Sequence, residues 1–428
     1  MATPPNKLSR FWQELKQRNV VRVVTVYSGA DNKSAKIEMS KRRILFFLFF
    51  LVWNTYNTLS AQVSQYGTIN SNIYNSEQIN ALLESPDCLN GYFSNQTGYL
   101  TKIDSAGNES LDTTFTIQQI KIPSDDVSIN GWLYLPLGNG KHPLIILTNG
   151  GGSITRNIRS FSDWMAPILA HCGIAAFVHD KRGTGESEGI FRNTTYEDYI
   201  IDAGNCARYF LNHPRVDSKK IGVMGASEGG RIAIVAACRY PEFSFVISHE
   251  GAVVSAVDDR IYAIKGWLQN FNLPDSVFNT AFEFHKKSII AWGSDDPGEM
   301  DRVDQEIIEM RKNFKANILP PTRTEMESLP DFDNELPTWQ SLKYDHMAEL
   351  VGFNKKWLAI FGEEDKVVPT DESVENIIHY MELSGNENYN VAVLPDCGHG
   401  IINLKTNRII KINYMIIHWL NDNILNGL

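Results

Sequence analysis

Cysteine is scarce in this sequence: Cys88, Cys172, Cys206, Cys238 and Cys397 are the five in 428 residues. None sits in a CxxC pair or in a Cys/His group at zinc spacing, which argues against a structural metal, and an odd number leaves at least one thiol unpaired within a monomer. Positive charge is also in deficit, with 40 Lys and Arg against 50 Asp and Glu and a formal net charge of −10. A surface that follows a phosphate backbone needs clustered Lys and Arg, so nucleic acid is set aside as a partner. Apolar runs are short, and the longest falls well below the roughly 20 residues that span a hydrocarbon core. No internal repeat or extended low-complexity segment is apparent. What remains, 43% apolar and 21% charged residues, is the make-up of a globular protein long enough for one large core and an insertion.

The N-terminal region reads in two pieces. From Met39 the chain has a basic cluster (Lys41, Arg42, Arg43), an apolar run from Ile44 to Trp53, and polar residues ending in Leu59-Ser60-Ala61-Gln62. That succession is the pattern of a secretory signal, with Met39 as the expected start and Ala61 as its last residue. Leu59 is larger than the small residue preferred at that position, so an uncleaved anchor is the alternative, and membrane contact is expected only through this segment. Residues 1–38 form a basic leader with Leu8, Phe11, Trp12 and Leu15 on one helical face, read either as an interfacial helix or as an over-long reading frame. Export to the periplasm or the exterior is the expectation.

Residues 62–114 are rich in Asn, Ser, Thr and Gly and are expected to be a loosely packed lead-in with one helix near Glu77 to Leu83. Phe115 to Ile122 and Ser128 to Leu135 read as a hairpin around Asp125-Asp126. Short apolar runs then alternate with amphipathic stretches: Leu144–Thr148, Ile174–His179, Ile221–Met224, Phe245–Ser248, Trp357–Phe361 and Val391–Leu394. This rhythm predicts an α/β fold, a mostly parallel sheet with helices on both faces, over 115–250 and 356–428. The intervening 251–355 far exceeds an ordinary loop and predicts an inserted helical cap. Its aromatics Trp267, Phe271, Phe278, Phe282, Phe284 and Trp292 are read as cap core, with a minority lining a substrate pocket.

Gly225-Ala226-Ser227-Glu228-Gly229 follows a predicted strand and opens a predicted helix, the context of a nucleophile elbow that lifts a serine hydroxyl above a sheet. A hydroxyl is a weak nucleophile near neutral pH and needs an imidazole to take its proton and a carboxylate to orient that imidazole. Downstream, Glu363-Glu364-Asp365 follows one strand and Asp396-Cys397-Gly398-His399 follows the last. Ser227, Asp365 and His399 are the candidate triad, with Glu363, Glu364 and Asp396 as competing acids. Asn149-Gly150-Gly151-Gly152, after the first central strand, can present bare amides to a developing oxyanion. The candidate donors are the amides of Gly151 and Glu228, with Gly152 as the substitute for the first.

From about Phe115 to Leu420 the chain resembles the bacterial α/β-hydrolase esterases related to the acyl-CoA thioesterase and prolyl oligopeptidase branches. The matching pieces are Asp180-Lys181-Arg182-Gly183-Thr184-Gly185-Glu186-Ser187, the elbow from Gly225 to Gly230, Gly362 to Pro369, and Gly398-His399. The resemblance implies a serine esterase with a helical cap that acts on a small-molecule ester without a cofactor. Asn149 stands where many of those relatives carry histidine, and residues 62–114 are too few for a β-propeller. The alternatives are a peptidase or amidase with the same triad and a non-catalytic binding module on the same scaffold. Gly183-Thr184-Gly185-Glu186-Ser187-Glu188-Gly189 is one residue too long for a dinucleotide fingerprint, and His249-Glu250-Gly251-Ala252-Val253 lacks the second histidine of a zinc protease. Neither a nucleotide cofactor nor a catalytic metal is expected.

Overall fold

The computed structural model describes residues 71–89, 92–94, 100–103, 109–156, 161–294, 296–314, 318–328, 341–344 and 346–425. The basic leader and the signal-like segment lie outside the described residues. Eight strands form one sheet: β1 (Phe115–Ser124), β2 (Val127–Pro136), β3 (His142–Thr148), β4 (Ala175–His179), β5 (Val216–Ala226), β6 (Phe245–His249), β7 (Lys356–Gly362) and β8 (Tyr389–Leu394). Their spatial order is β1-β2-β4-β3-β5-β6-β7-β8. The β1–β2 hairpin and the β2–β4 pair are antiparallel, and every pair from β4 through β3 to β8 is parallel. The predicted mostly parallel sheet is therefore present, with strand ends displaced by a few residues from the apolar runs. Asp125 turns the hairpin at φ 51°.

The central strands are apolar at almost every position because both faces are covered. Along β3, Leu144 and Ile146 pack on one side and Ile145 and Leu147 on the other; along β7, Trp357, Ala359 and Phe361 alternate with Leu358 and Ile360 in the same way. One face is covered by α3 (Tyr196–Phe210) through Ile200, Ala203 and Phe210 and by α4 (Glu228–Arg239) through Ile232 and Val235. The other is covered by α2 (Phe161–His171) through Met165 and Leu169, and by α10 (Ile412–Leu420) through Met415, Ile416 and Trp419. Burying each of these larger side chains contributes about 1.5–3 kcal/mol before entropy is charged against it. Helix α3 starts at Thr195, whose hydroxyl accepts from Asp198 N while the Asp198 carboxylate accepts from Thr195 N.

Of the lead-in, the described residues 71–89 are anchored to the core, with a helix where one is expected, near Glu77 to Leu83. Its helix α1 (Ser76–Leu82) begins at an Asn75 capping box, and Ile73 beside it pairs with Val391 on the outer edge of β8. Tyr74 N donates to Val391 O and Val391 N to Asn72 O, so the lead-in supplies hydrogen-bond partners to an edge that would otherwise present bare amides. A disulfide joins Cys88 to Cys172 at the end of α2. Polar composition hid these anchors because a few apolar residues, Ile73, Ile79 and Leu89, make them.

Between β6 and β7 the chain forms α5 (Ala256–Gln269), α6 (Asp275–Gly293), α7 (Pro297–Asn313) and α8 (Arg323–Glu327). These helices have small cores of their own, one around Phe284, Met300, Val303 and Ile307 and one around Ala256, Ile289 and Leu342. The last long helix, α9 (Thr370–Ser384), follows β7.

Candidate active site

Strand β5 ends at Ala226 and α4 begins at Glu228, so Ser227 alone makes the turn, at φ 55° and ψ −122°. That conformation costs a non-glycine residue roughly 1–3 kcal/mol and persists only where the surroundings enforce it. Here the Ser227 amide donates to His249 O at 2.8 Å. A Cβ on Gly225 would lie 2.2 Å from Thr148 Oγ1, and one on Gly229 would lie 2.4 Å from Thr148 O. Both glycines are thus required by the approach of β3, the steric reason behind the motif.

Asp365 is buried in the turn after β7. Its Oδ1 accepts from the amides of Val367 and Val368 at 2.7 and 3.0 Å, and its Oδ2 meets His399 Nδ1 at 2.8 Å. The competing acids lie elsewhere: Glu363 and Glu364 are exposed, and Asp396 pairs with Lys405 at 2.8 Å. Burial alone would lower the pKa of His399, but the bond to Asp365 and the nearby Glu250 carboxylate outweigh it and raise the pKa above its ordinary value. With Nδ1 on Asp365, Nε2 is the nitrogen left to face a hydroxyl. Among the described residues no hydrogen bond joins it to Ser227.

A second carboxylate stands on the same imidazole. Glu250, one residue beyond β6, is buried, and its Oε2 lies 3.6 Å from His399 Nδ1. Sequence reasoning passed over it as part of an incomplete zinc motif. Its position at the end of a central strand was the signal that could have found it. The donor atoms of Glu250, Asp365 and His399 all lie within 4.8 Å of one another. These groups already bond to one another and to backbone amides, so the set is better matched to holding an imidazole than to ligating an ion.

Ser227, Gly151, Gly152 and Glu228 line one cavity of about 280 Å³. The Glu228 amide is at the first position of α4, where helix geometry provides no intrahelical partner. Lys181, buried in the loop after β4, ties the two candidate oxyanion segments together: its Nζ donates to Glu228 Oε1 at 2.6 Å and to Gly152 O at 3.3 Å. The rest of the Asp180–Ser187 stretch is scaffold. Asp180 accepts from Glu186 N at 2.8 Å and pairs with Arg156, while Arg182 grips Asp202 with two bonds. Asn149 donates to His179 O, so it braces the loop from behind.

The cap contributes Ala256, Asp259, Arg260 and Ala263 of α5 to the cavity wall, and Arg231 of α4 pairs with Asp259 across it at 2.5 Å. Trp267 and Phe271 lie against each other at the end of α5, largely exposed and outside that wall. The cap does reach the cavity, through α5 and through Ser341 and Leu342, rather than through these aromatics. Tyr262 of α5 also donates to Asp365 O at 2.8 Å, so cap and acid turn are joined.

Residues 204–403 match the family model described as BAAT / Acyl-CoA thioester hydrolase C terminal. A thiohydrolase of Aspergillus aculeatus is 30% identical over 125 residues, which are 29% of this chain and 38% of that protein. A Schizosaccharomyces pombe protein bearing the name dipeptidyl aminopeptidase is 22% identical over 321 residues, 73% of this chain and 30% of that one. The chain spans about a third of the length of these curated relatives. Among solved structures, an esterase of Pyrococcus furiosus aligns with a TM-score of 0.45 at 16% identity, covering 72% of this chain and 91% of its own. The sheet order and the strand–serine–helix elbow make this an α/β-hydrolase fold, and just under half of the chain, residues 204–403, is similar to the acyl-CoA thioester hydrolase C-terminal family.

Proposed function

We propose that this chain is a serine hydrolase that cleaves carboxylic esters of small molecules through an acyl-enzyme. The observation that carries the reading is the convergence at the carboxyl ends of the central strands of a strained Ser227, beside His249 and Glu250, and an imidazole that meets Glu250 and is bonded to a buried Asp365. In the forward half-reaction His399 Nε2 takes the Ser227 proton as Oγ attacks the substrate carbonyl, and the amides of Gly151 and Glu228 stabilise the oxyanion. The imidazolium then protonates the departing alcohol. Water repeats the sequence on the acyl-enzyme and releases the acid and Ser227. Every proton moves within this set, so the reading calls for no cofactor. A cavity of about 280 Å³, whose wall includes the apolar side chains of Ala256, Ala263, Leu342 and Val368 beside the Arg231–Asp259 pair, favours short acyl groups over long alkyl chains.

The thioester hydrolase family match and the peptidase-named relative define the two nearest rivals, and the same triad serves all three leaving groups. Ser227→Ala decides between a hydrolase and a non-catalytic module. The expected outcome is a folded protein that has lost covalent labelling by a small fluorophosphonate and on the order of 10⁶-fold in kcat. A folded variant with wild-type turnover would sink the assignment. Matched esters, thioesters and aminoacyl amides of one acyl group then rank the leaving groups. Export is proposed alongside. The Cys88–Cys172 disulfide supports it, since such bonds persist in oxidising compartments.

A further inference from the structure

We propose that Glu250 is a positioning residue of the same site, a second acid that clamps the His399 loop and shares the imidazole with Asp365. The inference rests on the assignment of His399 as the base. Its ground is geometric. Strand β6 ends at His249, and the next residue adopts φ 50°, a left-handed conformation seldom taken by a glutamate. The turn is tight: Glu250 N donates to Ile360 O at 2.7 Å, and a Cβ on the following Gly251 would lie 2.7 Å from the Gly230 carbonyl carbon. The turn sends the buried carboxylate toward the loop that carries the histidine. There Oε2 accepts from Gly400 N at 2.7 Å and Oε1 from Ile401 N at 3.2 Å, the two amides directly after His399. The two donating residues, Gly400 and Ile401, also have positive φ, 78° and 51°, so this loop shape is one that a partner must hold.

From the same position Oε2 is 3.6 Å from His399 Nδ1, behind Asp365 Oδ2 at 2.8 Å. One ring N–H thus faces two carboxylates, and a sub-ångström shift would pass it from one to the other. The titratable neighbours of Glu250 are His399, Asp365, the Cys397 thiol and His249, whose Nε2 lies 3.3 Å away. His249 stays neutral, because burial drives its pKa down to about 3. Burial also pushes the Glu250 carboxyl up to about 7, against the opposing pull of His399. Below that pH Glu250 serves mainly as a clamp. Above it a second anion supports the imidazolium.

The test compares wild type, Glu250→Gln, Asp365→Asn and the double variant by His399 NMR titration and by the pH profile of kcat/KM on a short p-nitrophenyl ester. The expected result is a lower His399 pKa in Glu250→Gln, an acid limb displaced to lower pH, and a double variant at least 10-fold less active than Asp365→Asn. An unchanged His399 titration in Glu250→Gln, or a double variant no worse than Asp365→Asn, overturns the proposal. If Glu250→Gln does not fold, Asp365→Asn alone answers the question. Residual activity that rises from pH 6 to pH 8 by more than in wild type supports Glu250 as the substitute acid, and a parallel profile refutes it. The titration needs no turnover, so failure of the hydrolase reading, detected with Ser227→Ala, is distinguishable from failure of this one.

Discussion

Lys181→Met should damage both stability and turnover, for separable reasons. The ammonium is buried (3% exposed), donates to Glu228 and Gly152, and lies 4.7 Å from the centre of the Tyr199 ring. Methionine keeps the length of the stem and removes the charge, stranding the Glu228 carboxylate. Breaking a buried pair by deleting one partner costs about 3–5 kcal/mol. Glu228 keeps 15% of its side chain in solvent, so the lower end, about 3 kcal/mol, is the expected loss, a fall in Tm on the order of 6 °C. The catalytic effect has a different origin. An unpaired anion next to Gly151 opposes the developing oxyanion, and Gly152 loses its tether to α4. Misplacing one oxyanion donor lowers kcat on the order of 10²-fold, and KM should stay within a few-fold because the ground-state carbonyl is less affected. Adding Glu228→Gln removes the stranded charge, so the double variant should regain most of the Tm while kcat recovers only in part. Thermal melts and steady-state kinetics on a short ester are sufficient. Lys181→Met with unchanged Tm and unchanged kcat would show that the bridge is incidental and the reasoning wrong.

Activity should rise with pH through a midpoint above the ordinary histidine value of about 6.5, because in the proposed mechanism neutral His399 is the working form and its pKa is raised; a midpoint below 6 would contradict the pairing with Asp365 and Glu250. The same raised pKa stabilises the fold fully below about 6.5, and that contribution is lost as pH rises through the folded value. Ala263→Leu, on the cavity wall, should shift ester preference toward shorter acyl groups, whereas Trp267→Ala and Phe271→Ala should leave the ranking unchanged; the opposite pattern in a chain-length panel would place the specificity wall elsewhere. Intact-mass analysis of the native protein should find an N-terminus near Gln62 and an intact Cys88–Cys172 bond, and reduction should lower the Tm, since the bond closes a span of 84 residues worth about 2–5 kcal/mol; a protein beginning at Met1 with reduced cysteines would refute export.

Much of this molecule was legible in the chain because the signals are local. The runs at Leu144–Thr148 and Trp357–Phe361 are apolar at successive positions, which a strand buried on both faces requires, so strand locations and their alternation with helices could be read without contacts. The elbow was legible for the same reason. Gly225 and Gly229 are fixed by steric limits within one turn, and a serine between them in a strand-to-helix context has few other uses. Tertiary structure decided what depends on distance between remote residues. Asp365, Glu363, Glu364 and Asp396 are equivalent as residue types, and only packing shows which one is buried against His399. Glu250 and the His399 loop are joined across 150 positions, and Lys181 and Glu228 across 47. The aromatics of the cap give the same lesson, because helical spacing places Trp267 on a face of α5 without saying whether that face meets the core, the cavity or water. A sequence encodes each residue's chemistry and local conformation. Which groups share a low-dielectric site is settled when the sheet brings its strand ends together.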